Sequence, residues 1–485
     1  MIRLAHARFL LNAHAVDCEV PPGLPLLDLL RGRGLCGTKD GCREGECGAC
    51  MVMLGARTDR GIAYEAVTAC LVPAWEVDGK HVVTIEGLSL GDELSPVQGA
   101  IVAEGATQCG FCTPGIVVSV THYLATQHGA PDTRRLRAVL GGHLCRCTGY
   151  ASLLRAGARL DALPEAGDSG RNEVLSEARL GRLAEHGVLP DYFREIPARL
   201  HGLAGDSQTA PESPVAEGAA LRIAGGTDVY VEQGEEVVEA QVELLHRESR
   251  LAEIRRSGDH LEIGGLVSFE QLAIDPEFRR LVPEIDRLLS TIASPQIRAR
   301  ATLAGNVVNA SPIGDLTILL LALDARVHLR GARSDRTLPL RRLYRGYKSL
   351  DLAPSELLTH ISVPLYTGDT RVSFEKVAKR THLDIASVNS ALRIDCRDER
   401  VVRAFLALGG VAPVPKLLER SSALLVGKRV SEATVRELLP LVQEEITPIG
   451  DVRGGPLYKR LIAKHLVVAH FARLFPESVR PEAFL

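Results

Sequence analysis

Residues 37–50 read GTKDGCREGECGAC, three cysteines and four glycines in fourteen positions with no large apolar side chain among them. Together with Cys70, the cysteines Cys42, Cys47 and Cys50 run C-x4-C-x2-C with a distant fourth member, the spacing of a plant-type 2Fe-2S site. The glycines supply a physical reason. A loop wrapped closely round a cluster needs unusual backbone angles and amide N–H groups aimed at sulfur with no Cβ in the way, and Gly41, Gly45 and Gly48 lie among the thiols. Structural zinc is the rival reading, but zinc knuckles pair C-x2-C units across a short excursion, a pattern this stretch lacks.

The chain as a whole holds eleven cysteines in 485 residues, and 46% hydrophobic content over that length is more than one core serves, so three or four domains are expected. The N-terminus MIRLAHARFL has no signal-like apolar core, and the longest apolar run, LTILLLAL (316–323), is much too short to cross a bilayer. The sequence therefore reads as soluble and cytoplasmic, with no membrane partner. Thiols in such a reducing compartment serve metal or redox chemistry rather than disulfides. A net charge of −3, with Lys and Arg scattered along the chain, offers no basic stripe for nucleic acid.

Cys109 and Cys112 in QCGFCTPG and Cys145 and Cys147 in GHLCRCTGY make a second set. A C-x-C pair is awkward for tetrahedral zinc, and the company of a plant-type set favours another cluster. Cys18, Cys36 and Cys396 remain, each read as a small buried hydrophobe. Just upstream of the opening stretch, GRGLCG (32–37) matches G-x-G-x-x-G. That fingerprint must follow a strand and open a helix, whereas here the helix-like LPLLDLLR precedes it and the cysteine loop comes after, so the match reads as chance.

Around the first set, the β-like segments IRLAHARFLL, CMVML and HVVTI with one short helix describe a small mixed sheet over residues 1–87, the cluster on an edge loop. Residues 88–163 show repeated helix starts. Ser95-Pro96 and Thr113-Pro114 each offer an N-cap hydroxyl before proline, Asp132 caps TRRLRAVL after Pro131, and a fourth helix follows Tyr150. Because the two halves of the second cysteine set lie at helix ends, a helical bundle must close on them. Residues 164–215, rich in Pro, Gly, Ser and Glu around one helical stretch, read as a linker. Strands and helices alternate over 216–370. The last part, 371–485, reads as the strands FEKVA, SVNSALRI and VVRAFLALGG before two amphipathic helices, TVRELLPLVQEEI and LYKRLIAKHLVVAHFARLF.

Two segments beyond the linker fit phosphate cradles as well as plain turns. RIAGGTDV (222–229) is a strand running into paired glycines and a hydroxyl, and TLAGNVVNASPIGDL (302–316) adds a second glycine turn and a helix opened by Ser311-Pro312.

In their order along the chain, the cysteine motifs and these two segments resemble the xanthine dehydrogenase family of molybdenum hydroxylases, over nearly the whole chain and least across 164–215. The resemblance implies an α+β multidomain protein: a β-grasp 2Fe-2S ferredoxin domain, a four-helix-bundle 2Fe-2S domain, an FAD-binding domain of the vanillyl-alcohol oxidase type and a C-terminal flavoprotein domain like that of CO dehydrogenase. It makes Cys42, Cys47, Cys50, Cys70, Cys109, Cys112, Cys145 and Cys147 the ligands of two 2Fe-2S clusters. It makes Arg222, Ile223, Ala224, Gly225, Gly226, Thr227, Asp228 and Val229, with Thr302, Leu303, Ala304, Gly305 and Asn306, the FAD loops, and adds Asp315, Leu358 and Lys376 as further flavin contacts. Gln108 matches a residue that reaches toward a partner's pterin, or is a surface glutamine; Tyr347 in RGYKSL matches a tyrosine near flavin and nicotinamide, or merely packs. The acidic residue that some relatives carry at the position of Leu383 is missing, with Asp384 next to it.

The function that the resemblance implies is electron conduction, by the small subunit of a two-subunit enzyme in a heterotetramer of two small and two large chains. A molybdopterin-binding large subunit would oxidise hypoxanthine or xanthine to urate, and electrons would pass through two 2Fe-2S clusters to FAD and on to NAD. No catalytic residue for substrate oxidation is expected in this chain. The same modules would serve a related enzyme acting on an aldehyde or nicotinate, or a freestanding iron-sulfur flavoprotein carrier.

Overall fold

The computed structural model describes residues 4–127, 132–160, 174–204, 220–331, 334–366 and 368–484. They divide into two compact units: the described residues up to 204, with 220–246 and 294–300, form the first, and 247–293 with 301–484 form the second.

The first unit is organised by a six-stranded mixed sheet in the order His14–Val20, Ala5–Leu11, His81–Val83, Met51–Thr58, Gly61–Thr68, Val174–Leu175. Ala5–Leu11 runs antiparallel to His14–Val20 and parallel to His81–Val83. Side chains alternate across a strand, and the continuous apolar run MVML is what a strand covered on both faces requires. Val52 and Leu54 join a core with Leu26, Leu27 and Leu30 of the helix Leu26–Gly32, whereas Met51 and Met53 join a core with Ile116, Val117 and Val120. One sheet thereby carries two hydrophobic layers.

The second layer is the expected bundle of four helices, Pro96–Ala103, Thr113–Thr126, Thr133–Gly141 and Ala151–Arg159. Ser95 and Gln98 form a full capping box, and Asp132 accepts from the Arg134 N–H at 2.8 Å; Pro131 lies outside the described residues. Thr113 is not an N-cap. The cap position falls on Cys112, and the Thr113 hydroxyl bonds that of Thr107 at 2.7 Å instead. GRGLCG sits, as read, after a helix and before the cysteine loop.

The linker expectation needs correction. Its ends, 164–173 and 205–215, lie outside the described residues, but its middle is folded: Val174–Leu175 extends the sheet beside Gly61–Thr68, and Leu180, Leu183, Phe193, Ile196 and Leu200 are buried in the bundle-side core. The apolar residues of Glu177–Glu185 and Ile196–Ala204 recur at helical spacing, a pattern that outweighs the polar composition of the flanks. Residues 220–246 also belong to this unit, with the parallel pair Leu221–Ile223 and Val242–Leu244, and with Ile223, Tyr230 and Val237 in the core beneath the ferredoxin sheet.

The second unit contains a five-stranded antiparallel sheet, Asp335–Pro339, Arg326–Arg330, Leu357–Pro364, His260–Gly264, Ile254–Ser257, with the helix Asp315–Ala322 buried from Leu316 onward. It also contains a four-stranded antiparallel sheet, Asp369–Val377, Val388–Arg397, Arg400–Gly409, Lys416–Leu417, covered by Glu432–Glu445 and Pro456–Leu474 as the amphipathic pattern implies. The helix expected from Ser311-Pro312 starts only at Asp315, because the Ser311 hydroxyl accepts from the Ile313 N–H at 3.4 Å and folds a local turn first. The chain is thus an α+β multidomain protein. Among the described residues no helix is long and apolar enough to cross a membrane.

Candidate metal centres and flavin site

The eight expected cysteines come together as four pairs. In each pair one thiol contributes to the shift in the other's proton affinity: Cys47 to that of Cys42, Cys50 to that of Cys70, Cys147 to that of Cys109, and Cys145 to that of Cys112. Two thiol pairs per site are the donor number of a 2Fe-2S cluster, in which each iron takes two thiolates.

In the first set, N–H groups of Glu44 and Cys47 donate to the Cys42 sulfur at 3.3 and 3.4 Å, and the Cys42 N–H donates to the Cys47 sulfur at 3.5 Å. The Cys47 thiol and these amides draw Cys42 down to about 5, while Cys47 is pushed up by the same pairing. Amide donors that favour thiolate over thiol are what a cluster ligand needs. Gly45 and Gly48 have φ of +74° and +66°, and a Cβ on Gly41 would stand 2.8 Å from the Cys47 sulfur. Close approach, as the sequence implies, is why these positions are glycine.

The second set is assembled from the turn before the helix Thr113–Thr126 and the loop 142–150. Gln108 is exposed and donates its side-chain amide to the Cys147 carbonyl at 3.2 Å, tying the two halves together. Tyr150, read in the sequence only as the boundary before a helix, organises the loop: its hydroxyl accepts from the Cys145 N–H at 3.0 Å and donates to the His143 carbonyl at 2.8 Å, with its own backbone at φ +65°. Burial and the Cys145 thiol push Cys112 up to about 12, whereas the Phe111 amide and Cys147 lower Cys109.

The two loops touch. The Leu144 N–H, next to Cys145, donates to the carbonyl of Cys47 at 3.0 Å, and a Cβ on Gly115 would overlap the Gly48 carbonyl. Of the remaining cysteines, Cys18 and Cys396 are half-buried and Cys36 is exposed, so none is the fully buried hydrophobe expected; Cys36 lies in the glycine-rich lead-in, outside any core.

The expected flavin residues divide between the units. In the first, strand Leu221–Ile223 delivers the chain into Gly225–Gly226 and the short helix Val229–Gln233. Gly226 has φ +78°, and a Cβ there would stand 2.7 Å from the Leu71 carbonyl, one residue beyond Cys70. Arg222 pairs with Glu243 at 3.0 Å. This tight turn, with no Cβ at Gly225 or Gly226, leaves the backbone open to close approach, as a dinucleotide phosphate would need.

In the second unit, TLAGN is a helix start: Thr302 caps Leu303–Val308 by accepting from the Gly305 N–H at 3.2 Å, and Asn306 accepts from the backbone and hydroxyl of Thr317. Asp315 and Lys376 meet at 2.7 Å, Lys376 also donating to the Thr291 carbonyl, and Asn389, which the sequence did not single out, donates to Asp315 at 2.5 Å. Leu358 is buried, its carbonyl against Gly265. Tyr347 is 68% exposed, so packing does not explain it. Asp384 accepts from the N–H groups of Arg380 and Ile385 and is spent on its own turn.

Four family models match in sequence order: a 2Fe-2S iron-sulfur cluster binding domain at 9–74, a 2Fe-2S binding domain at 84–158, an FAD binding domain in molybdopterin dehydrogenase at 207–366 and a CO dehydrogenase flavoprotein C-terminal domain at 373–474. The chain is 29% identical to xanthine dehydrogenase 1 of Arabidopsis thaliana, over 96% of this chain and 39% of that protein. It is 29% identical to a nicotinate hydroxylase of Emericella nidulans, over 95% of this chain and 40% of that one, so it spans about two fifths of the length of these relatives. Among solved structures, a carbon monoxide dehydrogenase chain from Hydrogenophaga pseudoflava superposes with a TM-score of 0.51 at 25% identity, over 54% of this chain and 91% of that chain. With two 2Fe-2S domains, an FAD-binding domain and a flavoprotein C-terminal domain in unbroken order, the chain belongs to the molybdenum hydroxylase family as its iron-sulfur and FAD portion, alongside the corresponding part of the xanthine dehydrogenases.

Proposed function

We propose that this chain is the electron-conducting part of a cytoplasmic xanthine dehydrogenase, receiving electrons from a molybdopterin-binding partner that oxidises hypoxanthine or xanthine and delivering them to NAD. When bound, the clusters carry single electrons and FAD converts them to a hydride pair. Cys42, Cys47, Cys50 and Cys70 would hold one cluster and Cys109, Cys112, Cys145 and Cys147 the other; residues 222–229 and 302–306 with Asp315, Leu358 and Lys376 would hold FAD. The observation that carries the reading is the continuity of the loops in the first unit. The Leu144 N–H to Cys47 carbonyl bond joins the two cysteine sites, and Leu71, next to Cys70, backs onto Gly226. The chain's own residues would thereby hold three cofactor loops next to one another.

The experiment is co-purification with the partner, metal and flavin analysis, and assay with xanthine and NAD. We expect about four iron per chain from two 2Fe-2S sites, one FAD, and NAD reduction. Gly226→Val should abolish FAD binding and NAD reduction while xanthine still bleaches the iron-sulfur absorbance. Zinc without iron would overturn the reading. Nicotinate belongs in the substrate panel, since a nicotinate hydroxylase relative is equally identical; turnover of nicotinate but not xanthine would keep the conduction and change the substrate.

A further inference from the structure

Arg300 and Glu76 form a bidentate ion pair in the first unit, Nη1 to Oε1 at 2.9 Å and Nη2 to Oε2 at 2.6 Å, with side chains only 6% and 4% exposed. Taking both charges out of water is costly, and an apolar pair is often as stable, so a buried pair calls for a reason beyond stability. The third guanidinium donor shows one. Nε donates to the carbonyl of Gly225 at 3.1 Å.

We propose that Arg300, anchored by Glu76, is the positioning residue of the flavin diphosphate loop. In a trans peptide the carbonyl and the following N–H point opposite ways, so drawing the Gly225 carbonyl toward Arg300 turns the Gly226 N–H the other way. That amide belongs to a glycine already held at φ +78°, where a Cβ would stand 2.7 Å from the Leu71 carbonyl. Arg300 and Lys80, the latter 3.1 Å from Glu76, place two cations round the one carboxylate that anchors the loop's partner. Glu76 sits in the short helix Ala74–Val77, six residues after Cys70, so the anchor and a first-cluster cysteine share one stretch of chain.

The inference rests on residues 222–229 being an FAD loop, and the test separates the two. FAD is stripped from the full chain carrying both clusters, its dissociation constant on re-addition is measured by fluorescence quenching, and cluster circular dichroism is recorded on the same samples. Arg300→Lys keeps a cation but cannot serve both the Glu76 fork and Gly225, and Glu76→Gln keeps the anchor's shape without its charge. Tyr230→Phe deletes a hydrogen bond from the adjacent helix to the Gly23 carbonyl and reports general loosening. Both former variants should weaken FAD about tenfold or more, the worth of one charge-assisted hydrogen bond, with cluster dichroism unchanged and Tyr230→Phe affected far less. Unchanged affinity in both overturns the proposal, as does an equal loss in Tyr230→Phe, or loss of the first cluster together with FAD in both. Full FAD binding by Gly226→Val would sink the loop assignment itself; loss there with retention in Arg300→Lys and Glu76→Gln would sink only the positioning role.

Discussion

The two cysteine sites solve one ligand problem in opposite ways. The first takes three of its thiols from nine consecutive residues and buries Cys50 and Cys70 to 3% and 4% exposure; the second draws two pairs from segments more than thirty residues apart and leaves Cys109 and Cys147 exposed, with Phe111 and Leu144 about half exposed beside them. Burial, hydrogen bonds to sulfur and local charge set a cluster's potential, and the two sites differ in the first of these most plainly. On the proposed function the contrast would assign places on the conduction path: the exposed site would face a donor outside the chain, and the buried one backs onto residues 222–229, the proposed flavin loop.

Removing one ligand from each site puts that contrast to its severest test. Cys70→Ser and Cys147→Ser should each halve the iron, from about four to about two per chain. Cys70→Ser should also weaken FAD, because Leu71 supports Gly226, whereas Cys147→Ser should leave FAD and the first cluster's spectrum intact. Flavin loss in Cys147→Ser would erase the proposed order.

The glycines of the two sites should differ more modestly. Gly48→Ala combines a left-handed backbone with overlap on the Gly142 carbonyl and should cost about 3 kcal/mol or more. Gly149→Ala beside the second site has φ +57° but open space, and only the backbone penalty of about 1–2 kcal/mol applies. Thermal unfolding of the two variants should therefore differ; equal losses would mean that the loops are equally tight. Exposure carries the same distinction into kinetics: under mild oxidant or chelator, the second cluster's signal should decay before the first's, and the reverse order would contradict the burial difference.

Near neutral pH the smallest effect should be a pH dependence within the first site's own sheet. Burial holds His81 down at about 3, where its ring bonds the Tyr64 hydroxyl at 2.6 Å and the Asn12 carbonyl at 3.1 Å. An unfolded histidine titrates near 6.5, so above about 6.5 both states are neutral and the native state keeps its full advantage. Between about 6.5 and about 3 the unfolded chain takes a proton that the native one refuses, and stability falls on acidification by at most about 1.4 kcal/mol per pH unit. His122 in the bundle is lowered by burial and acts in the same direction. The slope of melting temperature against pH should therefore flatten in His81→Gln without vanishing; an unchanged slope would mean that His81 is not held neutral.

How much of this was legible depended on whether the signal was local. The cysteine spacing, the N-cap at Ser95 and the β-like segments of residues 1–87 each report on neighbours in the chain, and each reappears in the fold. Thr113 misled because proline follows it, yet Cys112 occupies the cap position and the hydroxyl found Thr107. Residues 164–215 misled because composition was averaged across a segment whose Leu180, Phe193 and Ile196 were destined for the bundle-side core. Tyr150 was read only as the boundary before a helix, not as the organiser of its own loop, and Asn389 had no local signal at all, because the Asp315 carboxylate it meets lies 74 residues away.

The chemistry was written in the residues themselves: which thiols are available, which backbone positions lack a Cβ, and the order of modules along the chain. These depend on residue identity and short-range spacing, and not on the rest of the molecule. The folded arrangement alone settled that Leu144 reaches Cys47, that Gly226 rests on Leu71, and that Arg300, 224 residues from Glu76, closes on it and on the Gly225 carbonyl. A hydrogen bond or ion pair joins atoms by distance in space, and over such separations only the packing of both faces of the ferredoxin sheet decides which atoms are close.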